Sequence, residues 1–592
     1  MMTDRPSGAL AAPATTGRGS GLLLGWCRRN PSATASQQVL LYALLLIILL
    51  LSVLPSLRLL WQALQGWQQG LDAPFIRMLR SAATWTALEH SLYTSLLGTA
   101  LALLLGGLFA LILTLTDVRG RSLWVFLFML PMMIPPQVTA LSWLQLSGPA
   151  SPLLNTLGIA PPLGSPQPLY SAEGVALLLG IQHAPLVFLA LRTHLLAIPR
   201  ELIEAARLSG AHQRRVLWDI LLPLCRGGLW TGAAIAFVSC LGNFGIPAML
   251  GIPASYYVLP TLIYQKMASF GADMLSDVAS LSVLIGVVAL TGVALQNRIQ
   301  RQQALPLLGM AGRALDFQLG RWRPWTELAL ALILLLILLL PLLALITSSL
   351  VPALGVPLNW HSLTFAAYQE MLSHQGATLR ALGNSLLLST VAALLLMLIS
   401  LPLAYLLARR QSPLIHWLHA AIDVPYALPG VVLAIACILL FARPLPWLNI
   451  SLYGSLGIIL VAYLARFLAV SLKPVHSSML QLDPALEEAA QLAGAGLLQR
   501  LFSIVLPLLA PSAFAGCLLV FLTAVNELTV SALLWSAGNE TLGVLIFNLD
   551  ESGDAVLASA VAVMIVALVA ALMTVLNLLG RYLPQGVIPW QR

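Results

Sequence analysis

Two short segments of this chain carry the same residues in the same order. Glu204-Ala205-Ala206-Arg-Leu-Ser-Gly210-Ala returns 284 positions later as Glu488-Ala489-Ala490-Gln-Leu-Ala-Gly494-Ala. In each copy a Leu-Pro pair, Leu222-Pro223 or Leu506-Pro507, ends 13 residues beyond the glycine. Pro199 and Asp483-Pro484 are suited to start a helix, and Glu201, Glu487 and the Glu-Ala-Ala stretch then fall in its opening turns, where carboxylates meet the positive end of the helix dipole. The alanines keep one face low enough for close docking, and each glycine supplies a stop or a sharp bend. Such a segment is either an ordinary interhelical loop punctuated by Gly and Pro or a short helix built to dock closely, and the same positions in two copies favour docking. Bond-making chemistry has no comparable support. The two lysines, Lys266 and Lys473, follow Gln265 and Leu472, so the Gly-Lys-Ser/Thr that cradles nucleotide phosphates does not occur. Nor does His-Glu-x-x-His, Cys-x-x-Cys or Gly-x-Ser-x-Gly. His90, His183, His416 and His419 lack metal-ligand spacing. No catalytic, cofactor or metal site is expected in this chain.

The elements that hold the two segments follow from composition. Of 592 residues 59% are hydrophobic and 9% charged, with mean hydropathy +0.90, whereas soluble domains carry roughly 25% charged residues. Disorder is excluded, and five scattered cysteines frame no disulfide scaffold. The chain is an integral membrane protein. A span needs about 20 apolar residues, and such runs lie near 38–62, 92–115, 122–146, 174–197, 226–250 and 276–297. A second set lies near 325–350, 384–408, 415–441, 453–472, 508–535 and 556–580. Unbroken apolar runs without dyad alternation must be helices, so the fold is all-α and polytopic.

With the N-terminus in the cytoplasm, 23 of the 30 Lys and Arg residues fall inside and six outside, which sets the orientation and leaves Arg466 within a span. The basic surplus is topogenic, and no nucleic-acid partner is expected. Residues 1–37 read as a disordered cytoplasmic tail. Ser91 pairs with Ser385, and Pro131 and Pro135 with Pro425 and Pro429, at an offset of 294. The chain is therefore a duplication: 38–297 and 325–592, each of six spans, joined by a cytoplasmic connector at 298–324. An even number of spans makes the halves parallel, related by a pseudo-twofold axis along the membrane normal. Both repeated segments lie on the cytoplasmic side, between the fourth and fifth spans.

Ionisable groups inside the membrane are candidates for function. Glu527 and its counterpart Asn243 each follow a Leu-Pro pair by 20 residues, in a straight helix a climb of about 30 Å to the outer mouth, whereas a break at Gly245-Ile-Pro247 would leave them deeper. Asn243, Gly245, Pro247, Asn526, Glu527 and Arg466 form a candidate translocation path or outer gate. The alternative is helix–helix hydrogen bonding or exposure to an outer vestibule. For Arg466, about six residues from the cytoplasmic end of its expected span, the alternatives are snorkelling and an ion pair. Asp423 is a further possible lining residue.

The Glu-Ala-Ala…Gly segment before each fifth span resembles the "EAA" motif of permease subunits of binding-protein-dependent ABC importers. Two such units in one chain resemble the ferric-iron and thiamine permease group. Asn243-Phe-Gly-Ile-Pro-Ala-Met-Leu-Gly-Ile-Pro-Ala with Leu259-Pro-Thr-Leu-Ile-Tyr264 is most similar to the iron(III) permeases. Ser209 and Ala493, before the glycines, depart from the motif. The resemblance implies type I importer-like transmembrane units in a bacterial inner membrane, both termini cytoplasmic. It implies coupling helices at Glu204, Ala205, Ala206 and Gly210 and at Glu488, Ala489, Ala490 and Gly494, seated in two copies of a separate subunit that binds ATP and Mg. An extracytoplasmic solute-binding protein would deliver the substrate, ferric iron, with thiamine, a polyamine or a phosphonate as alternatives. An ion-coupled secondary transporter of two parallel six-helix halves is the competing class, but leaves the duplicated cytoplasmic loops unexplained.

Overall fold

The structure is a computed structural model that describes residues 35–162, 164–269, 271, 273–303, 317–374, 376–409, 412–442 and 451–579. Most of the expected N-terminal tail and the middle of the connector lie outside these residues. Among the described residues the secondary structure is helical, apart from an isolated bridge between Thr116 and Phe317. Among the described residues nine helices are long and apolar enough to cross a membrane, and three helix pairs bent at a break bring the number to twelve where each pair is one span.

The first half comprises α1 (Gln38–Leu64), α2 (Ala82–Leu115), the bent pair α3 (Arg121–Met133) and α4 (Pro136–Ser147), and α5 (Ala172–Leu196). The short loop helix α6 (Arg200–Leu208), then α7 (Arg226–Gly242), α8 (Gly245–Gly251), α9 (Leu259–Met267) and α10 (Met274–Gln303) complete it. The second half repeats this order: α11 (Gly320–Ser349), α12 (Gly376–Arg409), the bent pair α13 (Pro413–Ala427) and α14 (Gly430–Phe441), α15 (Leu456–Gln481), and the loop helix α16 (Pro484–Leu492). It ends with α17 (Leu506–Val525), α18 (Ser531–Leu534), α19 (Leu542–Glu551) and α20 (Ala555–Leu579).

The third spans expected at 122–146 and 415–441 are bent by 99° and 108°. Proline is the cause in both. It lacks an N–H and pushes the preceding residue out of the helical region. Ile134 (φ −80°, ψ 134°) before Pro135 and Leu428 (φ −74°, ψ 141°) before Pro429 are extended accordingly. The fifth spans expected at 226–250 and 508–535 also differ. Each stops early, at Gly242 and Val525, and the chain turns into a short helix before α9 or α19.

In each half the second, fourth and fifth spans pack as a three-helix core, α2 with α5 and α7, and α12 with α15 and α17. The first helices cross over: α1 lies between α10 of its own half and α14 of the other, and α11 between α20 and α4. Each half thus clamps the broken span of its neighbour. Exposed leucines along α1 and α11, such as Leu46, Leu57, Leu332 and Leu336, face outward to lipid. At the core, a Cβ on Gly106 of α2 would stand 2.4 Å from the Ala184 carbonyl oxygen of α5, while one on the neighbouring Gly107 would meet nothing within 4 Å. Small residues allow such close approach between membrane helices. Gly106→Val is expected to cost about 1–3 kcal/mol by overpacking and Gly107→Val to be near neutral, read as thermal unfolding in detergent; equal loss for both would refute this packing.

Candidate functional site

The repeated segments form two matching helices. Pro199 precedes α6, and Asp483 caps α16 by accepting the Ala485 N–H at 3.0 Å. Gly210 (φ 82°) and Gly494 (φ 86°) take the left-handed conformation that ends each helix. The next N–H groups, Ala211 and Ala495, reach back to the Ala206 and Ala490 carbonyls at 3.0 and 2.9 Å, closing a Schellman turn. Glu204, Ala205, Glu488 and Ala489 are exposed, and Ala206 and Ala490 half-buried. Leu208 and Leu492, at equivalent positions, are 90% and 92% exposed, and Leu202 and Leu486 are also open to solvent. The same apolar side chain is thus left bare at the equivalent place in both halves.

The two helices are held from beneath by different chemistry. In α16 Glu487 is buried and forms an ion pair with Arg409 at the end of α12, Nε to Oε1 2.8 Å, while Arg409 also donates to the Leu482 carbonyl at 3.2 Å. The equivalent first-half residues are Ile203 and Leu115, both buried. Around α6 the connector supplies the bracing. The Phe317 N–H donates to the Leu115 carbonyl at 2.7 Å, and the Arg207 guanidinium lies 5.2 Å over the Phe317 ring. The Leu319 N–H donates to Asp117 at 2.9 Å, and Asp117 pairs with Arg323 at 3.5 Å. That backbone donor, then Arg323, holds the Asp117 carboxyl below its usual range.

The intramembrane candidates gather at the broken spans. Glu527 lies just past α17, its Oε1 accepting the Val530 N–H at 3.0 Å and the Thr529 hydroxyl, with its Oε2 3.3 Å from Arg466 Nε. Asn243, its counterpart, accepts the Ile246 N–H at 3.2 Å. Both residues therefore act as caps on the turn that ends the fifth span. Helix α15 continues to Gln481 through Lys473 and Pro474, so Arg466 is 15 residues from its C-terminal end, roughly 22 Å. It makes the ion pair with Glu527, not a snorkelling contact. At the position equivalent to Arg466 the first half has Gln182, which accepts the Thr139 hydroxyl at 2.9 Å and donates to the Ile134 carbonyl at 3.0 Å. Gln182 thus satisfies a carbonyl that the break at Pro135 exposes. In the second half a Cβ on Gly430, the first residue of α14, would meet both Thr529 and Arg466, so the ion pair sits against the equivalent break.

The remaining candidates divide between the two roles. Gly245 opens α8, and a Cβ there would stand 3.2 Å from the Gln137 nitrogen; Pro247 is buried within α8. Asn526 reaches across the interface, its Nδ2 donating to the Met133 carbonyl at 2.6 Å. Its counterpart Gly242 faces Pro429 of the other half, Cβ position to Cα 3.5 Å. Asp423 stands near His419, 3.7 Å away, with both half exposed. Gln182 and Gln137 were not singled out from sequence because an uncharged amide in an apolar run carries no signal; comparing Arg466 with its duplicate at offset 284 would have found the first. The paired serines do share one role: Ser91 accepts the Leu259 N–H at 2.7 Å and Ser385 the Leu542 N–H at 2.8 Å, fixing the starts of α9 and α19.

The family model described as "Binding-protein-dependent transport system inner membrane component" matches residues 98–304 and again 400–589. The probable ABC transporter permease protein y4fN of Sinorhizobium fredii is 27% identical over 68% of this chain and 70% of its own length. The Fe(3+)-transport system permease protein FbpB 2 of Haemophilus influenzae is 23% identical over 88% of this chain and 95% of its own. The molybdenum transport system permease protein ModB of Escherichia coli K12 is 28% identical over 38% of this chain and 99% of its own. Matched twice and over most of its length, the chain belongs to the family of binding-protein-dependent transport system inner membrane components.

Proposed function

We propose that the chain is the fused two-unit permease of an ABC importer for ferric iron, with units at 38–297 and 325–592 and a connector at 298–324. The observation that carries the coupling role is the pair of matched loop helices with bare leucines at 208 and 492. Two copies of an ATP-binding subunit dock there from the cytoplasm, one on Glu204 to Gly210 and one on Glu488 to Gly494, and supply the ATP and Mg chemistry. An extracytoplasmic binding protein delivers the iron to the opposite face. The basic bias of the loops supports cytoplasmic termini. Ferric iron is favoured because the relative named for Fe(3+) transport spans both units, whereas the molybdenum relative spans one unit's worth of chain. Asn243, Gly245, Pro247, Glu527 and Arg466 shape the wall of the path by fixing its turns, and Asn526 lies on the wall itself.

Proteoliposomes holding the chain with its ATPase, supplied with iron-loaded binding protein, should take up radioactive iron only with ATP. Uptake of molybdate and not iron would overturn the substrate reading, and uptake driven by an ion gradient alone would overturn the ABC reading.

Changing Leu208→Asp together with Leu492→Asp should abolish co-purification of the ATPase and cut uptake at least tenfold while leaving thermal stability of the chain unchanged. An intact complex would refute the docking surface.

Arg466→Gln alone should destabilise the chain by about 3–5 kcal/mol, since it strands a buried carboxylate. Adding Glu527→Asn recreates the neutral Gln182 and Asn243 of the first half and should recover most of the stability and uptake. Recovery of stability without uptake would assign the ion pair a role in transport beyond holding the turn.

A further inference from the structure

A pseudo-twofold axis can be located by residues that are equivalent in the two halves and touch each other. Ser91 with Leu259 and Ser385 with Leu542 make the same bond, so α9 and α19 are aligned at an offset of 283. By that alignment Tyr264 is the counterpart of Phe547. Their rings are in contact, centroids 5.9 Å apart and nearly perpendicular at 85°. Two symmetry mates in contact straddle the axis that relates them. Phe244, at the turn after α7, closes the group, 5.3 Å from Tyr264 and 6.0 Å from Phe547. Phe244 and Phe547 are 1% and 5% exposed.

Along the same face of α19, one turn earlier, Gly543 faces Gln137 of the other half, whose Nε2 would be 3.0 Å from a Cβ there. Gln137 is fully buried, and neither its amide nitrogen nor its oxygen has a hydrogen-bond partner. A buried amide without partners costs about 1–3 kcal/mol, and that cost disappears when water or a polar solute reaches it. The unpartnered amide lies where an opened path would become wet.

We propose that Phe244, Tyr264 and Phe547 are the closed gate of the translocation path, an aromatic plug on the pseudo-twofold axis, and that Gln137 is the first polar group a small hydrophilic solute meets once the plug parts. The inference rests on the reading of the chain as a permease whose path runs between its halves. Apolar constrictions of this kind block hydrated ions by excluding water. Tyr264 and Phe547 belong to helices of different halves, so separation of the halves parts the plug without either helix unfolding.

The test uses the full chain alone in liposomes loaded with calcein, whose quenching reports entry of Co2+. Phe547→Ala with Tyr264→Ala should raise Co2+ entry at least tenfold over the unaltered chain, while Tyr264→Phe, which keeps the ring, should stay tight. Equal tightness of the double variant would overturn the gate. In a second arm, Tyr264→Cys with Phe547→Cys is oxidised in the complete complex; reversible loss of iron uptake is expected, and full uptake with the cross-link formed would overturn the gate. If the unaltered complex shows no ATP-driven uptake, the permease reading fails, and the leak arm still decides whether the plug seals the chain.

Discussion

A helix broken inside a bilayer exposes backbone carbonyls to hydrocarbon, and the architecture of this protein turns on how those carbonyls are satisfied. Pro135 and Pro429 break the third span of each half, and no water is at hand in the hydrocarbon to make up the lost bonds. Gln182 of α5 donates to the Ile134 carbonyl, and Asn526 of the opposite half donates to that of Met133. The break therefore serves as the point where the fourth span, the fifth span and the other half all attach. Gln182 and Asn526 are thus placed where the broken backbone requires a donor.

The two halves meet the same demands with different chemistry, and the differences come in pairs. Where the second half has Arg466 and Glu527, the first has Gln182 and Asn243; where the second has Arg409 and Glu487, the first has Leu115 and Ile203. A buried charge left without its partner costs far more than either the ionic or the neutral pair. Both members of a pair must therefore differ together, which is the pattern found at both places. The turn geometry is retained throughout: Asn243 and Glu527 each accept the N–H three residues on.

Much of this was legible in the sequence. The twin Glu-Ala-Ala segments, the left-handed glycines and the serine pairs all depend on local rules, in which a residue type and its spacing dictate a turn or a cap. Arg466 and Glu527 could be marked as intramembrane charges, but not as partners, since 61 residues separate them and pairing depends on how α15 and α17 cross. The bends escaped a hydropathy reading because apolar character continues through Pro135 and Pro429, and helix and break are equally apolar. Tyr264 and Phe547 looked like ordinary apolar residues; only contact across the axis distinguishes them.

The loop helices and the contact between the halves are joined by continuous helices. Helix α15 runs unbroken from Leu456 to Gln481 and carries Arg466 in its middle, and Asp483 then caps the loop helix α16. Gln182 occupies the same place on α5, which leads through Pro199 into α6. Both helices stay continuous past their interior prolines, Pro474 in α15 and Pro185 in α5, and lie close-packed against their neighbours. On α15 the Ser471 carbonyl stands 2.8 Å from a Cβ position on Gly516 of α17, too tight for the two helices to slide independently. Helix α15, Arg466, Glu527, the turn after α17 and Asn526 with its bond to the other half thus form one continuous line of contacts. The buried polar residues are then more than repairs to a broken helix: they join the helix that leads into α16 to the contact between the halves.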